Sequence, residues 1–552
     1  MNLMRMIFRH CILAIMLLLV FRVQAQRYQI IPKPQVQQWT EDSLLVNKDI
    51  YIQYKGKNDT IQKTITLYQE QLHKLTGLPV STAKGGAGVI TIRVQDNIKT
   101  PLHSEGYILD ISTKDITIQA KGHAGVFYAL QSLRQLLPPV RTNEKIVLRA
   151  GHIEDQPKIN WRGMMLDVSR HFYTKESLFH ILDLLAQYKM NVFHWHLCDN
   201  EGWRLEIKKY PKLTEVAAWR NEVVGSRMYS KDSTINLRDT YRYGGYYTQA
   251  EVREVVAYAA QRNITILPEI EMPGHSGAVL AAYPELSCNG KAQAVPNRTV
   301  VGGIVDQATV NMEFCAGKEQ AFHFLEDVLE EVISLFPGKY IHIGGDEVDK
   351  AHWKSCSACQ ARKRDLGLQD EDELQSYFVK RMEKFLSSKG RKLIGWDEIL
   401  EGGLPESSTV MSWRGEKGGI KAAQMGHDVI MSPSDPLYFN RYQDDPAAEP
   451  WAARFSINTL DKVYAYWPYR NLGGAEYDKF VKGVQFAIWT EFVPSVEHLE
   501  YMMLPRLPAL AEAIWTGPAQ KDYQDFVKRL NQGHFQRWQQ SGVRFHSKLF
   551  RQ

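Results

Sequence analysis

The sequence predicts an α/β protein: a closed (β/α)₈ barrel preceded by a small α+β domain. Two observations predict it. From Trp161 onward, short apolar runs alternate with amphipathic helical stretches about eight times over about 350 residues, the repeat of a parallel barrel. Nearly every run ends in acids, arginines or indoles, as barrel strands do at the end that carries a site.

Residues 26–155 precede the alternation and mix strand and helix character. Leu44–Tyr54 and Val89–Val94 read as strands. Residues 105–111 and 115–120 alternate as a hairpin, and Val126–Leu137 reads as a helix stopped by Pro138-Pro139. The barrel strands are expected at 161–168, 191–199, 264–271, 340–346, 392–398, 409–414, 428–432 and 484–490. The clearest helices between them are Lys175–Lys189, Gln249–Arg262 and Ala321–Phe336. Thr248 with Glu251 makes a capping box for the second. The domains are therefore expected at 26–155 and at 156–552, the latter ending in a helical tail.

The strand ends carry the chemistry. Ile341-His-Ile-Gly-Gly-Asp-Glu347 closes an apolar run with two adjacent carboxylates. Adjacent acids repel, so holding both at a buried strand end is costly and points to use. If their surroundings separate their pKa values, one serves as acid while the other stays anionic. Around them stand Asp167 and Arg170, Asp199, Glu269 and Glu271, Trp396 to Glu398, Trp413 and Arg414, Tyr438 and Asn440, and Trp489 with Glu491. A pocket ringed with acids and indoles suits a sugar, whose CH faces stack on rings while its hydroxyls bind acids.

Composition narrows the class. The 552 residues are 44% hydrophobic and 23% charged, an ordinary globular balance with room for two domains. Residues 1–25 read as a secretory leader: Arg5 and Arg9, an apolar stretch from Cys11 to Phe21, and Val23-Gln24-Ala25 for cleavage. That stretch is short for a membrane span, so a soluble exported protein, periplasmic or extracellular, is expected. The charge of +5 falls to +2 without the leader's three arginines, which argues against nucleic acid as a partner. Five cysteines then remain, Cys198, Cys288, Cys315, Cys356 and Cys359. Cys356-Ser-Ala-Cys359 suits a disulfide, a redox pair or half a zinc site. Without a second CxxC or a His pair at ligand spacing, a local structural role is favoured and no metal or cofactor is expected.

Taken in order, the blocks Arg162-Gly163 with Leu166-Asp167 and Arg170, His194 to Asp199, Pro268 to His275, His342 to Glu347, Gly395 to Glu398, Trp489 to Glu491, and Pro505-Arg506 with Glu512 and Trp515 resemble the β-N-acetylhexosaminidases of glycoside hydrolase family 20. Ile31 to Gln35 and Gly125 to Leu137 resemble the α+β domain that precedes the barrel in that family. The resemblance implies exo-acting, retaining removal of terminal β-linked N-acetylhexosamine, with the substrate's own acetamido oxygen as nucleophile. It implies Glu347 as general acid and base, Asp346 as the group that orients the acetamido nitrogen, and Tyr438 as the hydroxyl that holds its oxygen. Arg162 and Glu491 would grip O3 and O4. Trp396 and Trp489 would wall the acetamido pocket, Trp451 would lie under the ring, and Asn440 would meet the outer hydroxyls; Trp413, at its strand end, is a further substrate-binding candidate whose plainer reading is core. Asp199, Glu271 and His275 would stand behind the acid. The implied partner is a glycan with a terminal N-acetylhexosamine. Two positions depart from the family: Glu271 and Asn440 stand where Asp is usual.

Plainer and rival readings remain. His194 and His196 share a strand face and suit a buried barrel layer better than a metal pair. Arg506 and Glu512 suit a structural ion pair. A two-carboxylate glycosidase would take Asp346 or Glu398 as nucleophile. A non-catalytic sugar binder would be expected to lack Asp346, Glu347 or Tyr438, and all three are present. A metalloprotease is excluded by the lack of His-Glu-x-x-His.

Overall fold

The computed structural model describes residues 29–46, 50–81, 88–94, 103–138, 146–225, 236, 238–297 and 310–550. The expected leader lies outside the described residues. The chain divides into two compact units.

The first unit holds a seven-stranded sheet. Its spatial order is Val36–Val46, Ile146–Asp155, Tyr107–Ile111, Asp115–Ala120, Gly88–Val94, Ile50–Tyr54 and Val80–Ser81. Two helices, Asp59–Thr76 and His123–Leu136, belong to the same unit. The expected single strand 44–54 is two strands: Val36–Val46 pairs antiparallel with Ile146–Asp155, while Ile50–Tyr54 pairs parallel with Gly88–Val94. The 105–120 hairpin forms as expected, in antiparallel register from Tyr107 opposite Ala120 to Ile111 opposite Ile116.

The tail from Leu507 groups with this first unit, not with the barrel as expected. Its contacts explain why. The Arg529 guanidinium donates to the Ile30 carbonyl at 2.8 Å and grips both Glu512 oxygens at 2.7 Å. The Trp515 indole donates to Asp155 at 2.8 Å. Glu512 thus pairs with Arg529 and not with Arg506, whose guanidinium binds the carbonyls of Met502, Phe439, Arg441 and Asn458.

The second unit is a closed barrel of eight strands in sequence order, every neighbouring pair parallel. They are β1 (Trp161–Asp167), β2 (Val192–His196), β3 (Thr265–Glu269), β4 (Tyr340–His342), β5 (Lys392–Trp396), β6 (Thr409–Ser412), β7 (Asp428–Met431) and β8 (Val481–Ile488). Each lies where the apolar runs predict it, because parallel strands covered on both faces read as continuous hydrophobic runs. The helices that matter for the site are α1 (Lys175–Gln187), α2 (Gln249–Gln261), α3 (Glu319–Leu335), α4 (Ala351–Ser355), α5 (Ser357–Leu366) and α6 (Glu371–Ser388). The Thr248–Glu251 capping box closes in both directions at the start of α2. Helix α3 buries Phe322, Leu325, Val328, Leu329 and Val332, a stripe at helical spacing. Among the described residues no helix is long and apolar enough to cross a membrane.

Candidate active site

Inside the barrel, below its carboxyl-terminal mouth, lies a polar layer. Glu269, at the end of β3, is fully buried and lies among three imidazoles and an indole. His194 stands 3.1 Å from it and His342 2.8 Å, His196 is also bonded to it, and the Trp396 indole donates at 2.9 Å. Burial alone would keep Glu269 protonated, but the three imidazoles outweigh it and hold the carboxyl well below its usual range. Burial lowers His194 to about 4 despite Glu269, whereas Glu269 and Asp199 overcome burial and raise His196 to about 10. The histidine pair is thus part of a hydrogen-bonded barrel layer, as the plainer reading expects.

Above this layer opens a cleft of about 710 Å³ at the ends of the strands. Strand β4 stops at His342, and Ile343-Gly344-Gly345-Asp346-Glu347 continues as irregular chain. Gly344, Gly345 and Glu347 all take positive φ, 68°, 90° and 48°. A Cβ on Gly344 would lie 1.7 Å from Glu271 Oε2, and one on Gly345 2.6 Å from Ile399. Both glycines are therefore required, by conformation and by crowding. The turn draws Asp346 inward, with its side chain 8% exposed, and leaves that of Glu347 59% exposed.

The His275 imidazole, at the strained φ of 48°, stands beside both acids. Its Nε2 is 3.5 Å from Asp346 Oδ2 and 3.7 Å from Glu347 Oε2, while its Nδ1 meets Asp199 at 2.9 Å. Burial disfavours its charge, but Asp199 and Asp346 raise it well above the usual histidine range. Asp199 also takes His196 at 2.9 Å and Arg170 at 2.8 Å. Burial works against its charge too, yet Arg170 and His275 keep it ionised. Glu271 lies behind Asp346, and burial, then the charges of Asp346 and Glu269, raise its carboxyl well above the usual range.

On the opposite side stand Trp413, Tyr438, Asn440, Trp489 and Glu491. Tyr438 and Trp413 stack at 6.1 Å with an 11° interplanar angle, and Trp489 lies 6.2 Å from Tyr438. Burial pushes the Tyr438 hydroxyl well up, so it keeps its proton. Burial likewise lifts Glu491 to about 7, against the pull of Arg170.

Three expected residues are elsewhere. Arg162 is the second residue of β1, at the closed end of the barrel, and donates to the Ile159 and Asn160 carbonyls at 2.9 and 3.1 Å. Arg170, past the other end of β1, lines the cleft instead and is held by Asp199, Glu201 and Asp167. Trp396 is fully buried behind Trp489, at 5.9 Å, with its N–H engaged on Glu269. Trp451 packs on Phe492 under the Arg454 guanidinium, while Phe455, 72% exposed, and Arg441 line the cleft. Sequence reasoning passed over Arg441, Phe455, Asn200 and Glu313 as cleft residues. Asn440 points to Arg441, its neighbour, but nothing in the sequence marks Phe455 or Glu313.

The rival nucleophile Glu398 is outside the lining of the cleft and receives the Trp413 indole at 2.9 Å. Burial, then Asp346 and Asp397, raise it to about 9. A carboxyl protonated at neutral pH is a poor nucleophile.

Comparison with known proteins agrees with the geometry. The sequence matches "Glycosyl hydrolase family 20, catalytic domain" over residues 159–518 and "Glycosyl hydrolase family 20, domain 2" over residues 27–156. It is 46% identical to a beta-hexosaminidase of Porphyromonas gingivalis over 81% of this chain and 55% of that one, so it spans about half the length of that relative. It is 30% identical to a beta-N-acetylhexosaminidase of Cellulomonas fimi over 94% and 96% of the two chains. A solved exo beta-N-acetylglucosaminidase of Vibrio harveyi, in complex with N-acetylglucosamine, superposes with a TM-score of 0.81 at 31% identity, covering 95% of this chain and 78% of that one.

Proposed function

The chain belongs to glycosyl hydrolase family 20, and from that premise we propose that it removes terminal non-reducing β-linked N-acetylhexosamine from glycans through a substrate-assisted, retaining mechanism. One observation carries the reading. Asp346 Oδ1, Asn440 Oδ1 and Glu491 Oε2 line the cleft, are buried, and have no hydrogen-bond partner among the described residues. Buried acceptors are ordinarily satisfied. Three of them in a cleft walled by Trp413, Tyr438 and Trp489 suit a ligand rich in donors and flat CH faces. A sugar with an acetamido N–H is such a ligand.

The roles follow from position. Asp346, buried beside charged His275, takes the acetamido N–H and offsets the positive charge that grows on that nitrogen as its oxygen attacks C1. Tyr438, kept protonated, donates to that oxygen. Glu347 reaches from the mouth of the cleft, where the leaving group departs, and gives it a proton. In the second step it takes a proton from the water that opens the oxazolinium ring. Arg170 and Glu491 bind the hydroxyls at the closed end, which leaves no path for a further unit and makes the action exo.

The acetamido group is the discriminating probe. Nitrophenyl β-glycosides of GlcNAc and GalNAc are expected to be cleaved, and the β-glucoside slower by orders of magnitude, the scale of a lost intramolecular nucleophile. A thiazoline analogue of the cyclised sugar is expected to inhibit far better than free GlcNAc. Equal turnover of the glucoside supports the two-carboxylate route instead.

The arginine assignment has its own test. Arg170→Lys keeps the charge but loses the planar fork. Loss of a charge-assisted hydrogen bond of about 1.5–3 kcal/mol should lower kcat/KM about 10- to 100-fold, mostly through KM. Arg162→Lys should leave KM near wild type and lower the melting temperature. The opposite pattern would return the sugar-binding role to Arg162.

A further inference from the structure

Away from the cleft, the barrel unit gathers four of its own five cysteines. Cys288 and Cys315 lie on the segment between β3 and α3, and Cys356 and Cys359 at the junction of α4 and α5. The four Sγ atoms all lie within 4.8 Å of one another. The closest pairs are Cys315–Cys359 at 3.5 Å, Cys315–Cys356 at 3.7 Å and Cys288–Cys359 at 3.8 Å. A zinc ion with Zn–S bonds of about 2.3 Å sets tetrahedral S···S edges of about 3.8 Å. A disulfide would need about 2.05 Å and exclusive pairs. Here Cys315 stands almost equally near Cys356 and Cys359, and Cys359 near Cys288 and Cys315. That sharing suits a tetrahedron. We propose that Cys288, Cys315, Cys356 and Cys359 form a structural Cys₄ site for a zinc ion, clamping the β3–α3 segment to the α4–α5 turn.

The surroundings are built for it. Cys356 occupies the N-cap position of α5, without a side-chain cap bond, and Cys359 sits in its first turn, so both sulfurs stand at a helix N-terminus, which favours thiolates. A Cβ on Gly317 would lie 2.2 Å from the Ala358 carbonyl carbon and 2.3 Å from the Cys359 nitrogen, so only glycine lets the two loops approach this closely. Four thiolates on one Zn²⁺ leave two negative charges. Lys318 ties down the Cys288 segment through the Glu285 and Ser287 carbonyls at 2.9 and 2.6 Å, and Arg362 binds the Gly317 carbonyl at 3.1 Å. Both brace the segments that carry the sulfurs, Arg362 also pairing with Glu319 at 2.6 Å.

The clamp has a bearing on the cleft. The β3–α3 segment also carries His275 and Glu313, and the segment after β4 carries Asp346 and Glu347. His352 of α4 is hydrogen-bonded to Glu313, a second tie between the same two segments. The inference stands on the sulfur geometry and is independent of what the cleft hydrolyses.

The experiment uses the full chain, produced with zinc available and purified without chelator. Metal analysis is expected to give one zinc per chain, and zinc-edge absorption to show four sulfur neighbours at about 2.3 Å. After denaturation with chelator, Cys198 and all four cluster cysteines should titrate as thiols. Cys359→Ser should lose the zinc. In case that variant misfolds, Co²⁺ exchanged into the intact chain should give the thiolate charge-transfer bands of a tetrahedral CoS₄ site. Zinc well below one equivalent, with the four cluster cysteines missing from the thiol count, would show two disulfides and overturn the proposal. So would zinc bound through nitrogen or oxygen, or retained in full by the variant.

Discussion

Glu347→Gln is expected to lower kcat/KM about 10²–10⁴-fold on natural linkages, the usual scale of general acid catalysis. Gln keeps the length and shape of the side chain, so the strained φ of 48° and the turn should survive. What is lost is the proton. The loss should therefore depend on the leaving group. A GlcNAc disaccharide, whose departing alkoxide needs protonation, should show the whole effect. A dinitrophenyl glycoside, whose phenolate leaves unaided, should show little of it in the bond-breaking step. Rates on the two substrates, compared for wild type and variant, decide the matter. An equal loss on both would remove Glu347 from the acid role and leave it a binding group.

Asp346→Asn is the second large effect, and it separates charge from shape. Asn can still meet an acetamido N–H through its oxygen, so binding should change little. It cannot offset the cationic nitrogen that develops as the ring closes. That interaction exists mainly in the transition state, so kcat should fall about 10²–10³-fold, the scale of one preorganised electrostatic group, with a smaller change in KM. His275, left facing a neutral amide, would lose one of the two anions that raise it. A rise in KM with kcat unchanged would make Asp346 a binding residue only.

The barrel was legible because buried parallel strands leave apolar runs that polar neighbours interrupt. The first unit was less so. Val36–Val46 is exposed along much of its length, and its polar sequence hides an edge strand. The acid pair proposed to be catalytic was legible as two acids after two glycines, yet the reason the side chains diverge was not. They follow β4 on irregular chain, so strand alternation does not separate them; the left-handed glycines do. Arg162 was a legible error: a barrel's site gathers where strands end, and Arg162 stands where β1 begins. Cys356 and Cys359 were visible as a close pair, but half a zinc site was only one of three readings and a local structural role was favoured over it. The other two sulfurs come from 41 and 71 residues away, a spacing that no local pattern records.

The crowding at Gly344 and Gly345 bears on how the cleft uses its substrate. Fixing one residue's backbone costs about 1–2 kcal/mol of conformational entropy. Here the turn carrying both acids is held by the Trp396 amide on the Gly344 carbonyl and the Gln375 side-chain amide on the Gly345 carbonyl, both at 2.8 Å, inside the protein. That ordering cost falls in folding, so none of the sugar's contacts need be diverted to arranging the acids. In the proposed mechanism, the free energy gained at the non-reducing end then remains available for bending the acetamido group toward C1.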